Sequence, residues 1–86
     1  MSASPEAIEA EILARTEAAG PRASISPSEV AAGLDAENWR PLLGPVRKAA
    51  ARLAATGRIE ILRKGKPVPP EEMRGVIRLR WASATE

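Results

Sequence analysis

At Gly57 the hydrophobic period of this chain changes from 3.6 residues to 2, so a helix must deliver the backbone almost directly into a strand. Upstream, PLLGPVRKAAARLAATG (41–57) spaces Leu42, Val46, Ala49 and Leu53 by 4, 3 and 4, which puts them on one side of a helix. Arg47, Lys48 and Arg52 flank that seam, and Gly57 supplies the left-handed residue that commonly ends a helix. Downstream, in Arg58–Leu62, Ile59 and Ile61 face one way and Arg58 and Glu60 the other. Pro45 cannot donate to the Pro41 carbonyl. The helix therefore begins irregularly at 37–43, starts cleanly near 44, or forms two short pieces with a kink.

The earlier chain carries two further helix starts. Ser4-Pro5-Glu6 is a hydroxyl cap, a proline at the first helical position and an acid near the positive end of the dipole, opening a helix over about 5–19. Ile8, Ile12 and Leu13 form its apolar stripe, Glu11 and Arg15 an i,i+4 pair, and Gly20-Pro21 its stop. Residues 22–25 suit one short edge strand. In Ile25-Ser26-Pro27-Ser28-Glu29-Val30, Ser26 caps, Glu29 completes a capping box, and Ile25 and Val30 form a hydrophobic staple. The second helix is expected over about 27–33, broken by Gly33, with Trp39 packed over the second and third helices.

After the first strand the pattern predicts a return strand, Val76–Trp81. Ile77, Leu79 and Trp81 share one face; Arg78 and Arg80 share the other, where Glu60 offers cross-strand pairing. The intervening Arg63–Gly75 is too long for a tight hairpin turn, and Pro69–Glu72 suits a single helical turn within it. The chain reads as one domain, 1–86, ordered over about 5–81, with residues 1–3 frayed and 82–86 a tail.

Composition narrows the chemistry. The chain has no cysteine and no histidine, so the usual nucleophile, proton shuttle and soft metal ligands are missing. Glu71 and Glu72 are adjacent and point apart on a helical turn, and Ser24, Ser26 and Ser28 have no base partner. No enzyme activity, cofactor or metal is expected. Phe and Tyr are absent, so Trp39 and Trp81 are expected to anchor the core. No apolar run approaches the roughly 20 residues that cross a bilayer, and the N-terminus lacks the order of a secretory signal. The expected location is cytoplasmic, with no membrane partner. The net charge of +2 conceals an asymmetry: residues 1–39 carry two cations against seven acids, residues 40–86 eleven against four. A basic half in a small domain points to a polyanion.

The order helix, short strand, helix, helix, strand, long basic loop, strand predicts an α+β fold: a winged helix-turn-helix of three helices, a small antiparallel sheet and a long wing loop. The segments SPSEVA (26–31), WR (39–40), VRKAAARLAATGRIEI (46–61), KGKPV (64–68) and GVIRLR (75–80) resemble a bacterial family of small winged-helix domains that carries no assigned function. The resemblance spans about residues 6–80. It implies the fold and transfers no functional residue.

Two partner classes remain open at this point. In the first, duplex DNA is held mainly through phosphates, by Arg47, Lys48 and Arg52 along the helix and by Arg63, Lys64 and Lys66 in the wing, with Arg74 joining from the far side. The helix strip Gly44, Lys48, Ala51, Ala55 is short of side chains that read base edges. In the second, the domain is an interaction module, and its acidic first helix and alanine-rich neighbour bind a protein partner or a second copy.

Overall fold

Each helix starts where the local chemistry fixes the backbone. In the computed structural model, which describes residues 4–82, α1 runs Pro5–Ala19 and α2 runs Pro27–Leu34. The Ser4 side chain accepts from the Ala7 amide and that of Ser26 from the Glu29 amide at 3.2 Å, each satisfying a first-turn N–H. Only the serine half of the predicted box forms: the Glu29 carboxylate lies 4.0 Å from Arg78 instead. Gly33 does not break α2, which continues to Leu34. A Cβ at Gly33 would meet only the side-chain ends of Arg15 and Glu11 of α1, which are free to shift, so packing does not by itself require glycine there.

The two prolines divide the third helix as one of the three readings anticipated. Arg40–Leu42 is a 3-10 turn, and α3 follows as Leu43–Ala55. The predicted seam is buried throughout, joined by Ala50 and by Ile8 and Ile12 of α1. Thr16 is buried too, because its hydroxyl donates to the Ile12 carbonyl at 2.7 Å and so brings no unsatisfied group inside. Trp39 packs half-buried against this core, whereas Trp81 lies partly exposed on the sheet opposite Ile59.

The sheet differs from expectation in the long loop. β1 is Ile59–Arg63, β2 is Lys66–Val68 and β3 is Arg78–Trp81, ordered β2-β1-β3 with both pairings antiparallel. Arg63–Gly75 is therefore not one open loop. The chain reverses through the two residues Lys64 and Gly65, β2 adds an edge to β1, and a 3-10 turn at Pro70–Glu72 leads back to β3. Lys64 and Gly65 have φ of +55° and +81°, the doubly left-handed pattern whose twist matches a two-residue hairpin. Periodicity missed this because Lys66-Pro67-Val68 is too short to show an alternation. Pro67 is tolerated because β2 lies at the edge, where it also blunts further strand pairing.

At the opposite edge the strand expected over 22–25 reduces to one bridge, Ile25 to Leu79, closed by bonds of 2.8 and 2.7 Å. The return strand starts at Arg78 rather than Val76. The Ala82 amide still donates to the Arg58 carbonyl, so order continues past the predicted tail boundary; residues 1–3 and 83–86 lie outside the described residues. Three helices and a three-stranded antiparallel sheet, with α1 packed on β3 and α3 on β1, make an α+β domain with a winged-helix-like layout. No helix among the described residues is long and apolar enough to cross a membrane.

Candidate nucleic-acid interface

The wing tip is built by register. Arg63 and Lys66 are direct cross-strand partners at the mouth of the Lys64-Gly65 turn. Partners leave a ribbon on the same face, and here it is the face that carries Ile61 and Val68 toward the core two residues earlier. The core ends there, and the same face continues into water as two cations. Lys64 follows in the turn, the single non-glycine residue with positive φ among those described. All three side chains are exposed, and none belongs to an ion pair among the described residues.

The helix cations are placed differently. Arg47 reaches across to the segment that returns to β3: Nη2 donates to the Met73 carbonyl at 2.9 Å and Nη1 to the Gly75 carbonyl at 3.1 Å. Arg52 leans the other way, and its Nε donates to Glu9 of α1 at 2.7 Å. Lys48, between them on the outer strip, is exposed and unpaired among the described residues. The structure thus brings three of the six expected residues together at the hairpin and leaves Lys48 open. It uses Arg47 and Arg52 to fasten α3 to its neighbours.

Pairing inside the fold accounts for most other charges. Arg80 donates to Glu60 across β1 and β3, as the register predicts. Arg78 turns instead to Ser24, donating to its hydroxyl at 2.7 Å and its carbonyl at 2.9 Å. The Arg40 guanidinium lies 4.8 Å from the Trp39 ring centroid, a stacked pair that keeps the indole face covered. On α1, Glu9 and Glu11 are held by Arg52 and Arg15, which removes two charges from the acidic face available to a partner. Three further exposed cations, Arg22, Arg58 and Arg74, have no ion pair among the described residues. Arg74 was anticipated from its place in the loop; for Arg58, sitting in the Gly57 turn, periodicity assigned only a strand face.

These positions compose an exposed, positively charged surface. A ribbon tip offers three donors on flexible stems, one helical lysine stands apart from it, and Trp39 is taken up by packing and by Arg40 while Trp81 stays partly exposed on the sheet. No curated protein matches the chain. A family model, DUF3253, described as a protein of unknown function, matches residues 5–82, nearly the whole described domain, and the chain belongs to that family.

Proposed function

We propose that this domain binds duplex DNA without base reading, through backbone phosphates, as a winged-helix protein of the cytoplasm with a binding rather than a catalytic role. The observation that carries the reading is the cross-strand pair Arg63 and Lys66. Like charges directly opposite one another destabilise a ribbon, and no acid neutralises them here. Phosphates on a polyanion relieve that repulsion. Lys64 extends the patch at the turn and Lys48 adds a contact from α3. Arg47 and Arg52 sit at its margins with their best donors already engaged.

The salt dependence of binding counts the contacts. Four phosphate contacts give a slope of about −3.6 in log affinity against log salt, or roughly a 150-fold loss between about 50 and 200 mM. Six contacts, with Arg47 and Arg52 included, give about −5.4. Anisotropy titration of a labelled random-sequence duplex reads this directly. The double variant Lys64→Glu, Lys66→Glu should flatten the slope to about −1.8 or lower in magnitude. Absence of binding at low salt, or a double variant that binds like the wild type, refutes the proposal.

A further inference from the structure

Val76 is 88 % exposed, and no other large hydrophobic side chain among the described residues is exposed. A lone aliphatic group at a surface is ordinary. What sets this one apart is how it is held. Arg47 pins the carbonyls of Met73 and Gly75 on one side of it, Gly75 takes a left-handed φ of +66°, and Ile77 on the other side is buried. Val76 cannot turn inward without releasing one of these anchors. It also forms the rim of a shallow cleft of about 280 Å3, whose walls include Pro27, Leu43 and Ile77.

We infer that this loop is a self-association surface, in which Val76 of one copy seats in the Pro27–Leu43–Ile77 cleft of a second copy and receives that copy's Val76 in return. A knob and a cleft sharing one rim are what a two-fold axis requires, since each side of an isologous contact presents both. The charges beside the loop are complementary in the same sense. Arg74 is exposed with no ion pair among the described residues, and so are Glu71 and Glu72 on the preceding turn. A second copy brings the opposite sign to each. Duplex DNA would meet the two glutamates and an apolar cleft, and an acidic peptide would meet the same glutamates; a second copy satisfies both signs and the cleft.

One aliphatic knob per copy places the contact at the weak, transient end, below roughly 1,200 Å2 of buried surface. The inference does not rest on nucleic-acid binding. Sedimentation of the full chain over a concentration series reaching about 1 mM tests it. The weight-average mass should climb from 9.1 kDa toward twice that value. Val76→Asp should hold it flat, and Val76→Thr, which keeps the shape and removes a methyl, should weaken the climb; both variants should keep the wild-type circular dichroism. A flat wild-type series overturns the inference. So does a climb that survives Val76→Asp, which would assign association to the acidic and basic halves instead. Lys64→Glu, Lys66→Glu should leave the mass series unchanged, which separates this surface from the wing.

Discussion

Replacing Arg47 with alanine tests whether this cation belongs to the fold or to a ligand. Two hydrogen bonds from one guanidinium hold the returning segment on α3, at 2.9 Å to the part-buried Met73 carbonyl and 3.1 Å to the exposed Gly75 carbonyl. Bonds to charged donors contribute about 1.5–3 kcal/mol when well shielded. Partial exposure lowers that to about 1 kcal/mol for the first and about 0.5 kcal/mol for the second. The expected loss is about 1.5 kcal/mol, which for a domain of this size lowers Tm by about 6–12 °C. Lysine keeps the charge and has a compact ammonium that cannot bridge two carbonyls as a planar fork does, so Arg47→Lys should lose about half as much. Urea unfolding followed by circular dichroism gives the midpoint, and amide exchange should quicken first over residues 72–78, where the pinned segment opens. The reasoning fails if Arg47→Ala unfolds at the wild-type midpoint with unchanged exchange there while its duplex affinity falls as far as that of Lys48→Ala. Arg47 would then be a phosphate ligand that happens to rest on two carbonyls.

Two further substitutions probe the same assignment from either side. Arg52→Ala removes a pair with Glu9 in which both side chains are substantially exposed, so stability should fall by less than about 1 kcal/mol and the salt slope of duplex binding should not change. Gly65→Val alters no charge but places a β-branched residue at φ +81°; urea midpoints should show a loss of about 1–2 kcal/mol, and duplex binding should weaken because the wing cations lose their register.

Where a single element declared itself locally, the sequence was enough. The caps at Ser4 and Ser26 and the seam Leu42–Val46–Ala49–Leu53 follow from spacings of a few residues, the Glu60–Arg80 pairing follows from the alternation within each of two strands, and all are present. What stayed hidden depended on residues far apart in sequence. Gly33 reads as a helix breaker, yet α2 runs through it to Leu34 beneath the side-chain ends of Arg15 and Glu11 from α1. β2 needs β1 as a template, because three residues with a central proline have no strand signature of their own. The site was legible to a similar depth. Arg63, Lys64 and Lys66 stand together in the sequence and in space, whereas the engagement of Arg47 with a segment 26 to 28 residues away, and of Arg52 with one 43 residues away, has no local sign. Helical periodicity reports which side of α3 faces out; it is silent on what folds over that side.

That asymmetry decides where an anion would be held. By composition the basic half offers eleven cations and three of them line the central helix, so a reading by charge alone weights α3 and the wing equally. Internal contacts then engage Arg47, Arg52, Arg78 and Arg80, and stack Arg40 on an indole. Cations so engaged still contribute to the long-range field that draws a polyanion in, since a paired charge is partly screened and not abolished. Close contact is a different demand, because a phosphate oxygen needs an N–H that is not already given away. Among the described residues of the basic half the open cations are Lys48, Arg58, Arg63, Lys64, Lys66 and Arg74, and three of those six fall within four consecutive residues at a turn whose backbone is fixed by two left-handed φ angles. Under the proposed function, attraction is thus spread over the basic half while grip is concentrated at the hairpin. A charge reversal in the wing should therefore cost more affinity than one of equal size at Arg52.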